Sequence, residues 1–330
     1  MACTLVIRFS AMGDVAMTVP VLYSVASRYP NDKFILLTKN SFQSIFIHKP
    51  DNVEIFATHT GGIHKGIKGM WKLMNELNKK KIDYVADLHQ VLRSIEIDGY
   101  FKLKGKKVAV INKGRADKKA LTRKNNKKII PLQSSIDRYR KVFENLGYDS
   151  SLNFTSLFFD KDKKNDIFVG IAPLAKHTGK IYPLEKMAKV IRLLIEKSTA
   201  KIFLFGGRNE LDCLENLGIR HERIEVVAGQ LSFYEELMLM NDLDVMLSMD
   251  SANMHLASLV NTPVVSIWGA THPYAGFYGY GQNPDNAIQT DMPCRPCSVF
   301  GNKPCRYGSY ECLKKIEPEM IVEKIMNIIN

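Results

Sequence analysis

The feature that most constrains this chain is a set of short, continuously apolar runs separated by stretches of helical periodicity. TLVIRF (Thr4–Phe9), KFILLT (Lys33–Thr38), NVEIFA (Asn52–Ala57), IDYVADL (Ile82–Leu88) and KKVAVI (Lys106–Ile111) carry apolar residues at successive positions. A strand with one wet face alternates apolar and polar residues; a run without alternation is covered on both faces, as in a parallel sheet between helices. The intervening segments supply those helices: Val15–Pro30, Ser41–Ile47, Met70–Lys80 and Ser134–Leu146, the last closed by Gly147.

After Gly147 the alternation stops, and Tyr148–Asp166 reads as a linker. It then restarts with strands at Ile167–Pro173, Lys201–Gly207, Ile224–Gly229, Leu243–Met249 and Thr262–Gly269. Helices are expected at Leu184–Glu196, Glu210–Gly218 and Phe233–Met240, with a short one inside the stretch Met249–Gly269. A chain of 330 residues is long for one core and comfortable for two. The expected architecture is α/β: two Rossmann-like, doubly wound domains facing a central cleft, residues 1–155 and 156–330. The last helix, Glu317–Ile329, is free to pack on either domain, the N-terminal one included.

The net charge of +12 is concentrated. Between Lys102 and Lys128 twelve Lys and Arg residues face Asp117 alone, nearly the whole excess. That run is either a solvated loop or a patch for a polyanion. It contains no aromatic residue, so the stacking platforms of single-strand binders are missing and nucleic acid is not an expected partner. No apolar run approaches the ~20 residues that span a bilayer. The N-terminus, MACTLVIRFSAMGD, lacks a basic n-region and is interrupted by Arg8 and Ser10, which reads as a first strand and not as a secretory signal. A cytoplasmic protein is expected.

In doubly wound sheets, ligands sit at the carboxyl ends of strands. Asp14 follows the first strand and Gly13 permits a close turn there; Asp14 is either an N-cap or a group facing a ligand. No G-x-G-x-x-G accompanies it, so a nicotinamide enzyme is not supported. APLAKHTGKIYP (Ala172–Pro183) presents Lys176, His177, Thr178 and Lys180 ahead of a helix, which suits a phosphate and also suits a polar surface loop. Asp250 ends a strand, and Asp250 or Ser251 caps the next helix. The amides near Ala252–Met254 favour an anion, with His255 one turn in; a capped helix with a packed histidine is the alternative.

The residues MDSANMHLASLVNTPVVSIWGATHPYAGFYGYG, from Met249, resemble the signature of glycosyltransferase family 9, the ADP-heptose:lipopolysaccharide heptosyltransferases. RFSAMGDVAMTVPVL resembles the family's opening strand and Ser-x-x-Gly-Asp turn. KIYPLEKMAKVI resembles its Lys-x-Trp-Pro helix start, with Tyr182 in place of Trp. DYVADLHQVLRS (Asp83–Ser94) resembles its Asp-x-x-Gly-x-x-Lys/Arg-Ser strand end, with His89-Gln90 where Gln-Gly is usual. Lys176 and His177 stand where small hydroxyl residues are common.

The resemblance implies a GT-B fold and a single inverting displacement, with acceptor bound by the first domain and nucleotide sugar by the second. It implies Asp14 as the general base and Lys180 as the charge facing the diphosphate. Lys176, Thr178, Asp250, Ser251, Ala252 and His255 would be donor contacts; Ser10, Gly13, His89 and Arg93 acceptor contacts. The implied reaction moves a heptose from ADP-heptose to the lipopolysaccharide inner core, with an anionic core acceptor and the inner-membrane surface as partners. A peripheral place on the inner face of the cytoplasmic membrane follows, with no cofactor needed for catalysis. A relative using another nucleotide sugar or a capsule acceptor, and a GT-B-like sugar-nucleotide epimerase, are the alternatives. Cys294, Cys297, Cys305 and Cys312 form C-x2-C-x7-C-x6-C, and the spacing leaves structural zinc and free thiols both open.

Overall fold

Leu5, Val6 and Ile7 of the first strand, β1 (Cys3–Ile7), are completely shielded from solvent in a computed structural model of the chain, as coverage on both faces demands. The structure describes residues 1–160, 165–217 and 220–330, and these divide into two compact units. The expected linker therefore includes positions 161–164, and the last residue of the expected helix Glu210–Gly218 lies outside the described residues.

Unit 1 holds β1, α1 (Met12–Ala16), α2 (Thr18–Arg28), β2 (Lys33–Lys39), β3 (Val53–Thr58), α3 (Gly66–Asn78), β4 (Tyr84–Asp87), α4 (Leu92–Leu103) and β5 (Lys107–Val110). Its five strands run in the order β3-β2-β1-β4-β5, every pair parallel. Leu5, Ile7, Ile35, Leu37 and Val85 from the sheet pack against Leu73 and Leu77 of α3 and Ile97 and Phe101 of α4. Each such side chain contributes roughly 1.5–3 kcal/mol by leaving water. The expected helix at Val15–Pro30 is two, broken at Met17, and the one at Ser41–Ile47 is a 3-10 turn, Asn40–Ile45. Gly69 is required inside α3, because a Cβ there would lie 2.2 Å from the carbonyl carbon of His64.

The basic segment corrects the expected boundary. The chain leaves unit 1 after Lys113 and builds α5 (Arg115–Thr122); Gly114–Ser134 groups with unit 2, and unit 1 resumes with α6 (Ser135–Leu146) and closes at Thr155. The lysines are part of the reason. Lys127 donates to the carbonyls of Cys294 and Pro296, and Lys118 stands 4.3 Å from the centre of the Phe277 ring. The Leu132 amide donates to the Tyr274 carbonyl, and Gly276 sits against Gln133.

Unit 2 continues with β6 (Phe168–Ala172), α7 (Leu184–Lys197), β7 (Lys201–Leu204), α8 (Leu211–Glu215), β8 (Ile224–Val226), α9 (Phe233–Asp242) and β9 (Val245–Met249). Then come α10 (Ala252–Leu259), β10 (Val264–Trp268), β11 (Ala287–Gln289), α11 (Glu311–Lys314) and α12 (Pro318–Ile329). The sheet order is β11-β10-β9-β6-β7-β8, again all parallel. The last helix does not return to unit 1. Ile321, Val322 and Ile325 of α12 enter the unit 2 core, and Lys189 of α7 pairs with Glu319 at 2.6 Å.

Candidate active site

Each sheet has one place where the strand order reverses direction, and in doubly wound sheets ligands enter the crevice at that place. In unit 1 it lies between β1 and β4, where Ile7 is paired with Asp87. In unit 2 it lies between β6 and β9, where Ala172 is paired with Ser248. The loops leaving these four strands carry the expected catalytic residues and most of the expected ligand contacts.

In unit 1, Asp14 is not the N-cap of α1; Ala11 is, and Asp14 is the third helical residue. Its Oδ2 accepts the Ala11 amide at 3.2 Å and meets Arg8 at 2.8 Å. Arg8 is the residue that sequence reasoning missed, although its break in an apolar strand was the available signal. Its guanidinium is buried, donates to the Leu88 carbonyl at 2.7 Å and lies 5.7 Å from the centre of the Tyr139 ring. The Tyr139 hydroxyl donates in turn to the Asp14 carbonyl at 3.3 Å. Asp14 thus stands partly open to solvent on a frame of buried groups.

The other unit 1 candidates are more enclosed. His89 is buried, and its Nδ1 accepts the Phe9 amide at 3.3 Å. Burial, with the charges of Arg8 and Lys113, pushes it down to about 3, so it is a neutral ring at working pH. Arg93 spends one donor on the His64 carbonyl at 2.8 Å. Ser10, in the turn between β1 and α1, and Gly13, the second residue of α1, are half-buried. Asp87 is fully buried and its carboxylate accepts the amides of His89 and Gln90 at 2.7 and 2.9 Å, which occupies it structurally. Beside it, Asp98 is pushed up to about 8 by burial and by the neighbouring Asp87 charge, and shares a hydrogen bond with Asp87.

In unit 2, Lys180 and Asp250, far apart in sequence, form an ion pair at 2.9 Å with side chains 15% and 4% exposed. The contact is made to Asp250 Oδ2, and Lys180 is the cation that offsets this buried charge. Ser251 occupies the N-cap of α10, but its hydroxyl lies 3.2 Å from that of Ser248 and makes no cap hydrogen bond. The first amides of α10, beginning with Ala252, are therefore not taken up by a side chain at the cap. His255 is buried in the first turn. Thr178 and Lys176 are exposed, and Thr178 reaches the Tyr310 hydroxyl at 3.2 Å.

The cysteine loop supports this lysine. Gly301, at φ +74°, is the close approach that matters: a Cβ there would lie 2.6 Å from Cγ of Lys180. The Cys297 amide donates to the Ala270 carbonyl, and the Ala270 amide to that of Gly179. Arg295, buried, fastens the loop to the carbonyls of Trp268, Gly269 and Thr271. Among the described residues, no group of three or more His, Cys, Asp or Glu side chains is placed to hold a metal ion. Burial pushes Cys312 up to about 11. Burial also raises Cys305, but the amides of Tyr310, Tyr307, Ser309 and Gly308 outweigh it and hold that thiol below its ordinary range.

Two all-parallel, doubly wound units, each with charged groups at its switch point, are the two halves of which the GT-B fold of glycosyltransferases is built. The model of glycosyltransferase family 9 (heptosyltransferase) matches residues 70–310, and the chain belongs to this family. It is 24% identical over 279 residues to lipopolysaccharide heptosyltransferase 3 of Escherichia coli, covering 78% of this chain and 81% of that one. A solved family 9 glycosyltransferase from Veillonella parvula superimposes with a TM-score of 0.77 at 19% identity, over 99% of this chain and 97% of that one. The E. coli heptosyltransferase WaaC with ADP superimposes with a TM-score of 0.71 at 18% identity, over 98% and 99%.

Proposed function

We propose that the chain transfers a heptose from ADP-heptose to the phosphorylated inner core of lipopolysaccharide, at the inner face of the cytoplasmic membrane. The observation that carries this reading is that Asp14 and the Lys180–Asp250 pair each sit at the switch point of their own sheet. Unit 1 takes the acceptor through Ser10, Gly13, His89 and Arg93. Asp14, aimed by Arg8, accepts the proton of the acceptor hydroxyl as that oxygen bonds to the anomeric carbon. The bond from that carbon to the diphosphate oxygen breaks on the opposite face, and the configuration inverts.

Unit 2 holds the donor. The departing ADP gains charge, which Lys180 and the amides at the start of α10 stabilise, with no metal ion called on. Asp250 holds Lys180 in place before the donor enters, and with Thr178, Lys176, Ser251 and His255 it contacts the phosphates and sugar. The lipopolysaccharide substrate in the E. coli relative's name and the ADP in the WaaC structure support this choice of substrates.

The test is incubation of the purified protein with ADP-heptose and a deacylated inner-core acceptor, in EDTA, with product mass read by mass spectrometry and anomeric configuration by NMR. One added heptose, linked with inverted anomeric configuration, is expected. Transfer only from another nucleotide sugar or only to a capsule glycan would overturn the substrate assignment. Conversion of the sugar nucleotide with no acceptor present would overturn transfer itself.

A further inference from the structure

We propose that the face formed by α3 and α4 docks on an anionic phospholipid bilayer. The two helices pack side by side in unit 1, and their outer surface is not that of a solvated helix pair. Ile67 and Trp71, one turn apart on α3, are 84% and 69% exposed; Leu92 and Ile95, one turn apart on α4, are 83% and 51% exposed. Ile63 just before α3 and Leu103 at the end of α4 extend the same exposure. Large side chains clustered in this way mark an interaction surface, where scattered ones would need no account.

Charge identifies the occupant. Lys65, Lys68, Lys72 and Lys79 stand exposed beside the Ile67–Trp71 stripe, and Lys102 and Lys104 beside Leu103. Of the acids on the two helices, Asp98 is buried and Glu76 is held by His64 at 3.1 Å, which leaves Glu96. Tryptophan and aliphatic side chains ringed by lysine suit the headgroup–acyl boundary of an anionic leaflet, where the rings and chains enter and the ammonium groups meet phosphate. A symmetric pairing of two copies through this patch would set lysine against lysine. Between the helices lies a hollow of about 700 Å³ lined by Ile67, Met70, Trp71, Met74, Leu92 and Tyr100 together with the polar Asn75, Arg93 and Glu96, so its methionines can adapt to acyl chains while its polar groups stay at the headgroup level.

This inference rests on the proposed function in one respect, since the proposed acceptor is borne on a membrane. Its test needs neither donor nor acceptor. The chain has two tryptophans, and Trp268 is completely buried, so an environment-dependent change in emission on binding reports Trp71. The full chain is mixed at low salt with phosphatidylcholine–phosphatidylglycerol vesicles, with and without brominated acyl chains. A blue shift and quenching by bromine are expected, and both vanish in Trp71→Phe. Ile67→Asp with Leu92→Asp should abolish vesicle binding. Lys68→Glu with Lys72→Glu should weaken it about tenfold or more, and pure phosphatidylcholine should bind the native chain by a similar factor less tightly.

No shift and no quenching with the native chain would overturn the proposal. So would vesicle binding that survives Ile67→Asp with Leu92→Asp, or a solution dimer that those substitutions dissolve. Transfer to a deacylated, water-soluble acceptor is the separate readout, which Leu92→Asp leaves unchanged. Transfer without insertion defeats this inference alone; insertion without transfer defeats the proposed function alone.

Discussion

Replacing Lys180 by Met leaves Asp250 without the cation that offsets it. With side chains 15% and 4% exposed, the pair counts as buried, and removing one partner of a buried pair costs about 3–5 kcal/mol, because the other charge stays in a poorly solvated place. Unit 2 falls in the size range where each kcal/mol shifts the melting temperature by roughly 2–4 °C, so Lys180→Met should melt roughly 6–20 °C below the native protein. Asp250→Asn in the same chain removes the stranded charge, and the double variant should return to within about 1 kcal/mol of native. Turnover should follow a different course. Both the single and the double variant should lose about 10²–10³ in kcat, since neither presents a cation to the departing diphosphate. The assays are thermal or urea unfolding of the native protein and both variants without ligands, alongside initial rates of transfer. A single variant that melts with the native protein would refute the buried-pair argument. A double variant with native turnover would show Lys180 to be structural only.

Asp14→Asn keeps an oxygen for the Ala11 amide but gives up the charge facing Arg8, so a stability loss of about 1.5–3 kcal/mol is expected with a fall in kcat of roughly 10²–10⁴. Near-native turnover would remove Asp14 as the base. Asp98 keeps its proton up to about pH 8 in the folded chain, whereas an unfolded aspartate loses it near pH ~3.9. Its contribution to stability is therefore complete below about pH 4 and declines as pH rises through about 8. Asp98→Asn preserves a donor to Asp87 without titrating, and its urea midpoint should fall less than the native one between mildly acidic and alkaline pH; parallel curves would exclude Asp98 as the cause. Within the basic segment, Lys127→Glu should lower the melting temperature of unit 2, because it removes the donor to Cys294 and Pro296 and places a carboxylate against their carbonyls. Lys119→Glu with Lys128→Glu, both at exposed positions, should leave melting unchanged and raise the acceptor KM in a salt-dependent manner.

The parallel sheets were legible because burial on both faces leaves a mark in every strand: residues such as Leu5, Val6 and Ile7 are apolar without alternation. Short elements escaped for the converse reason. β11 spans Ala287–Gln289, and three residues show no period, while Asn40–Ile45 carries helical composition but closes as a 3-10 turn. The switch-point loops could be located, since they follow the strands directly. What each side chain meets there could not, because Lys180 and Asp250 approach only once β6 and β9 pair. Arg8 was visible as a flaw in an apolar strand, but its role depends on Asp14 and Tyr139 returning to it from α1 and α6. The lysine run misled in the opposite sense. By composition it is a solvated loop or a polyanion patch, yet Lys118 and Lys127 are drawn onto the Phe277 ring and the carbonyls of the cysteine loop.

That run has a consequence for how the chain must be made. The polypeptide crosses between the units after Lys113, after Ser134 and after Thr155, so unit 2 is not a contiguous stretch. Emerging from the ribosome, unit 1 has all its strands and helices once α6 and the residues to Thr155 are out. At that moment Gly114–Ser134 hangs from it as a cationic loop whose partners, Tyr274, Gly276, Phe277, Cys294 and Pro296, have yet to be synthesised. The first unit can fold early, as N-terminal units do, but the second cannot close until nearly the last of the chain returns to collect a segment made long before it. A cut at 155/156 would accordingly give one fragment with a surplus loop and another missing a part of its own body, whereas a circular permutant that keeps 114–134 covalently attached would preserve both.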